Sequence, residues 1–169
     1  MGTPAPWAGC RKKAAKRPNH ISTLTPSESD CYRQAMSNNL QERLEEIVRD
    51  FAADTGSIHL VENGVLILKA HVGLPPHIVP VISVVPIGKG MAGLAAERNE
   101  PVSVCNLQTD ESGKFPSGAK ATGVNGAIVV PVRDADGQMQ GTLGIGVHRD
   151  YEYSAEEIEQ LLSLAAKLI

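Results

Sequence analysis

The sequence predicts an α+β fold, an antiparallel sheet with helices packed on it. Three observations carry the prediction. An amphipathic helical pattern opens the ordered part, an Asn63-Gly64 hairpin follows it, and two strands around Asp136-Gly137 lead into a capped helix at the end. Elements that begin and end as helices, with paired strands between them, bury their apolar faces most simply as helices on one side of a sheet.

Residues 1–35 hold Pro4, Pro6, Pro18 and Pro26 among Thr, Ser, Ala and Lys without an apolar period, and are expected to be a disordered basic leader. Met36-Ser37-Asn38 is a plausible alternative start, leaving 36–169 as a single domain. Leu40, Leu44, Ile47, Val48 and Phe51 recur at three- and four-residue spacing, which places them on one helical face. Gly56 is expected to cap that helix. Ser57–Glu62 and Val65–Val72 then flank Asn63-Gly64, the dipeptide best suited to a type I′ turn, pairing Glu62 with Val65, Leu60 with Ile67 and His59 with Leu68.

A short strand is expected at Ile82–Ile87, then a glycine turn and a brief helix to about Arg98, then a strand at Pro101–Cys105. Residues 106–125 carry no apolar run and several glycines; a loop of that length inside a compact domain is usually functional. Ala127–Val132 and Thr142–His148 are the last two strands. Ser154 with Glu157 three residues on forms a capping box, and Ile158, Leu161, Leu162, Ala165 and Leu168 give that helix its buried face.

Composition limits the function. The chain has 169 residues and 42% apolar content, enough for one domain and a tail. No run of about 18 apolar residues occurs, so no membrane partner is expected. Residues 1–27 carry Arg11, Lys12, Lys13, Lys16 and Arg17 and no acid, a charge of +5. The other residues hold the remaining 11 of 16 basic and all 19 acidic side chains, a charge of −8. An acidic body repels polyphosphate, so the folded domain is not expected to bind nucleic acid. Three cysteines, Cys10, Cys31 and Cys105, are widely spaced and fit a reducing, cytoplasmic setting better than a disulfide framework. His59, His71, His77 and His148 lack metal-ligand spacing, and no metal or cofactor is expected.

Gly88-Lys89-Gly90-Met91-Ala92-Gly93 matches the dinucleotide pattern GxGxxG, but its helix is short and no further βαβ unit follows. The glycines are better explained by a tight turn and close backbone packing. With Val85-Pro86-Ile87 before it and Glu100-Pro101-Val102 after it, the segment resembles the middle of a GAF domain. Val130-Pro131-Val132, Gly141-Thr142-Leu143-Gly144-Ile145 and Ser154-Ala155-Glu156-Glu157 continue the resemblance in order, from about Met36 to Ile169. It implies a GAF-like sheet of about six strands, with terminal helices on one face and a loop-covered pocket on the other.

The resemblance also implies a function class. GAF domains are mostly ligand-binding sensory modules, while one branch reduces free methionine-(R)-sulfoxide with cysteine thiolates. That branch's two cysteines around the glycine turn fall here at Ile82 and Ala92, its loop cysteine has no counterpart between Asn106 and Asn125, and its carboxylates fall at Ala127, Gly144 and Gly146. The expectation is therefore a non-enzymatic sensory module with no catalytic residue. Its ligand is expected to be a small polar or anionic metabolite under the 106–125 loop. Candidate contacts are Asn106, Asp110, Lys120, Thr122 and Asn125 from the loop, and Thr142, Gly144 and Gly146 from one face of the last strand. A homodimer through the terminal helices is expected. The alternatives are the reductase and a dimerisation module with an empty pocket.

Overall fold

The computed structural model describes residues 39–109 and 122–169. The expected leader, the start at 36–38, and the loop residues Asp110 and Lys120 lie outside the described residues.

Helix α1 spans 39–50 and buries Leu40, Leu44, Ile47 and Val48, leaving Glu42, Glu45, Glu46 and Arg49 in solvent. It stops earlier than Gly56. Ala52 takes the left-handed conformation at φ 46°, and the Ala53 N–H donates to the Val48 carbonyl at 2.9 Å. Gly56 instead belongs to β1 (Thr55–Glu62) and faces the helix. A Cβ there would lie 2.5 Å from Val48 Cγ2 and 2.9 Å from Leu44 Cδ1, so the missing side chain lets the helix sit down on the strand.

β1 pairs antiparallel with β2 (Val65–Val72) in the expected register, Glu62 opposite Val65, Leu60 opposite Ile67 and His59 opposite Leu68. Asn63 at φ 51° and Gly64 at φ 80° form the turn. The register shifts between Ile58 and His59, so Ile58 pairs with Ala70. The strand expected at Ile82–Ile87 is shorter than the pattern indicates. Val79–Ile82 winds into one helical turn, α2, and only Val84–Pro86, β3, pairs with β2. Pro80 explains the difference, because its fixed φ and missing N–H suit the first turn of a helix.

Helix α3 (Gly90–Arg98) ends at Asn99 in the left-handed conformation and leads to β4 (Val102–Val104). Gly93 shows why the turn is rich in glycine: a Cβ on it would lie 2.4 Å from the Pro86 carbonyl oxygen. β5 (Gly126–Arg133) and β6 (Met139–Val147) form the central hairpin. Asp134 holds its turn by accepting the N–H groups of Asp136 and Gln138. Helix α4 (Ala155–Ala165) carries the full capping box, with Ser154 Oγ accepting from the Glu157 N–H and Glu157 Oε2 accepting from the Ser154 N–H.

The six strands form one antiparallel sheet in the order β3-β2-β1-β6-β5-β4, which is the expected fold class. Alternation along the strands divides it into two faces. Ile58, Ile128, Val130, Leu143 and Ile145 pack under α1 and α4, with Leu44 and Leu161 fully buried above them. Ala127 and Val129 point the other way and pack with Met91 and Ala95 of α3, Leu107 and Val124. Among the described residues no helix is long and apolar enough to cross a membrane.

Candidate functional site

The face opposite α1 and α4 bears a cavity of about 270 Å³. Strand periodicity builds its floor. Thr55, Ser57 and His59 of β1 alternate with Gly56, Ile58 and Leu60, and pair across to Gly146, Gly144 and Thr142 of β6. Every floor residue near the middle is small, so the sheet is exposed between taller walls. Val81, Ile82, Val84 and Pro86 of the α2–β3 segment form one wall. The start of α3 and the Leu107 and Val124 side chains form the others.

The glycines do two jobs. A Cβ on Gly146 would lie 2.5 Å from Val124 Cγ1, so this glycine admits the loop side chain against the sheet. A Cβ on Gly144 would lie 3.2 Å from Val129 Cγ2 and 3.3 Å from Ser57 Oγ, so it keeps the floor low between two neighbours. Both line the cavity, as does Thr122.

The other expected contacts stand elsewhere. Thr142 is on the same face but is sealed beneath its neighbours, and its Oγ1 has no hydrogen-bond partner. The Nδ2 groups of Asn106 and Asn125 donate to one acceptor, Asp150 Oδ1, at 2.7 and 2.9 Å. Asn106 Oδ1 also accepts the N–H groups of Gln108 and Thr109. These two asparagines pin both ends of the loop to the segment that leads into α4.

Four polar lining residues were not among the sequence candidates: Thr55, Ser57, His59 and Lys89. The polar alternation of Thr55, Ser57 and His59 along β1 was the available signal for the first three. Lys89 is the sole charged residue lining the cavity among the described residues, and no ion pair engages it there. His59 is 3% exposed, and its Nε2 stands 2.9 Å from the Ile82 carbonyl oxygen, tying β1 to the α2 wall. Burial holds its pKa below the usual imidazole value, and the carbonyl contact offsets this only in part. The remaining lining is mainly aliphatic.

The positions that the resemblance matched to the reductase branch meet at this same cavity. Ile82, Ala92, Ala127, Gly144 and Gly146 all line it, and none carries a thiol or a carboxylate. Cys105 is exposed just past β4 and does not line it. Among the described residues, no group of three or more His, Cys, Asp or Glu side chains could hold a metal ion.

Comparison with known proteins places this architecture. The chain is similar to a type II free methionine-R-sulfoxide reductase from Thermoplasma acidophilum at 24% identity, over 80% of this chain and 91% of that one, with a TM-score of 0.64. The GAF domain from a phosphoenolpyruvate-protein phosphotransferase of Coxiella burnetii matches at 22% identity, over 82% and 84%, with a TM-score of 0.66. A domain described as part of a two-component sensor histidine kinase from Sinorhizobium meliloti matches at 22% identity, over 78% and 86%, with a TM-score of 0.63. At these identities the likeness is one of fold. No curated protein matches the chain. The GAF domain family model matches residues 34–168, spanning both terminal helices and all six strands. The chain therefore belongs to the GAF domain family.

Proposed function

We propose that this GAF domain is a non-enzymatic sensory or regulatory module that binds a small molecule in the cavity and reports through its terminal helices. The observation that supports this best is the lining. The floor is kept low by Gly144 and Ala127, the walls are aliphatic, and no described residue lining the cavity has a thiol or a carboxylate. Reduction of a sulfoxide requires a thiolate beside the sulfur and a second thiol to resolve the product. The ligand that fits is small and chiefly apolar, with a polar or anionic end toward Lys89.

A route from cavity to helix supports the reporting role. Gly146 on the floor accepts the Asp54 N–H at 2.9 Å, and Asp54 Oδ2 accepts the His148 N–H at 2.8 Å. The chain then runs through Asp150 to Tyr151, whose hydroxyl donates to Glu157 Oε1 at 2.7 Å, the carboxylate that also caps α4. A ligand that favours one arrangement of Val124 and Gly146 biases this segment by its difference in affinity for the two arrangements.

The test is a fragment screen by thermal shift, followed by isothermal titration of any hit, with Gly144→Leu as the control that fills the floor. Binders that stabilise the parent and not the variant support the proposal; a ligand at 100 times its Kd adds about 2.7 kcal/mol. Hits unaffected by Gly144→Leu would place binding elsewhere. Turnover of free methionine-(R)-sulfoxide above a Cys105→Ala control would replace the sensor by the reductase.

A further inference from the structure

We propose that His59 selects the ligand, its Nδ1 accepting a hydrogen bond from an O–H or N–H group, so that the cavity prefers small apolar molecules bearing one donor over isosteres that bear none. The inference rests on the cavity being the ligand site. The geometry of the ring carries it further. A backbone carbonyl can only accept, so the 2.9 Å contact between Nε2 and the Ile82 oxygen places the proton on Nε2. In the neutral ring Nδ1 is then a bare acceptor, and no described group bonds to it. The residue is 97% enclosed, from an exposure of 3%, and it lines the cavity. A ligand that covers this acceptor without offering a donor strips it of solvent and leaves it unpaired, and a donor on the ligand removes that cost.

The surroundings keep the ring neutral and the preference one-sided. Thr142 of β6 and Leu68 of β2 stand opposite His59 on the neighbouring strands, and Ile82 covers it from α2; none of these titrates. On its own strand, Ser57 and Val61 are uncharged. Among the described residues, Lys89 is the charged group lining the cavity. Protonation of Nδ1 turns the acceptor into a donor, so the preference for donor ligands disappears as the pH falls through the titration of His59.

Indole and benzofuran are the probes, two bicyclic molecules of nearly equal shape of which only indole has a donor. Isothermal titration of the full chain at pH 7.5 is expected to show indole binding roughly three- to ten-fold tighter than benzofuran. The ratio is expected to fall toward one in His59→Phe, and to fall in the parent as the pH is lowered through the titration of His59. In case that variant misfolds, imidazole ¹⁵N spectra of the parent give an independent reading: indole, and not benzofuran, shifts the Nδ1 resonance. Equal affinity of both probes in a competent cavity, blocked by Gly144→Leu, overturns the assignment to His59 and leaves the cavity as the ligand site. Binding of neither probe overturns both.

Discussion

Two hydroxyls are buried without a partner among the described residues, and their removal should stabilise the protein. Thr142 Oγ1 lies on the cavity face of β6, and Tyr153 Oη lies among the side chains under α4. Thr142 is fully buried, and its cross-strand neighbours are His59 on β1 and Pro131 on β5. His59 already spends Nε2 on Ile82, and Pro131 has no N–H to give. A hydroxyl enclosed without compensation costs about 1–3 kcal/mol. Thr142→Val keeps the shape and removes the polar atom, so a gain of about 1 kcal/mol is expected, or roughly 3–5 °C in Tm for a domain of this size. Tyr153→Phe removes the other hydroxyl and is expected to gain a similar amount. The two sites lie on opposite faces of the sheet, so the effects should add. Urea denaturation at pH 7 with an unchanged slope is the assay. A loss of 1 kcal/mol or more in Thr142→Val would refute the reasoning, since it would mean that the hydroxyl is bonded in solution.

Other perturbations follow from the same packing. Gly56→Ala forces a methyl against Val48 and Leu44 and is expected to cost about 1–3 kcal/mol in chemical denaturation. The depressed pKa of His59 favours the neutral ring in the folded state, so its contribution is present above the unfolded value near 6.5 and is lost as the pH falls through the folded value. Unfolding free energy should therefore fall as the pH is lowered below about 6.5, and His59→Phe should flatten that dependence. Asp150→Ala removes the acceptor shared by Asn106 and Asn125. Amide exchange at residues 106–109 and 122–125 should accelerate, while Tm changes by only about 1–3 °C, because the pair lies at the surface. Sedimentation velocity at micromolar concentration tests the homodimer expected from the sequence; a monomer alone would remove the terminal helices as its interface.

Local physics made most of the fold legible in advance. Asn63-Gly64 specified its turn and thereby the register of β1 and β2, because few dipeptides accept positive φ at both positions. The Ser154–Glu157 box placed the start of α4 to the residue. Alternation along β6 separated Leu143 and Ile145, under the helices, from Gly144 and Gly146, beside the cavity. Each of these depends on neighbours within a few residues. Gly56 did not, because its role is contact with Leu44 and Val48 across the space between helix and strand, and in the sequence it has the same form as a cap. Nor did the contacts of the cavity. Polarity marked Asn106 and Asn125 as ligand groups, but Asp150, distant from Asn106 in the chain, claims both amides. His59 and Lys89 come to the same hollow from different elements, and only the curvature and pairing of the sheet bring them there. The sequence determined the elements and which face each side chain takes; the tertiary structure decided which polar groups are already paired and which remain to meet a ligand.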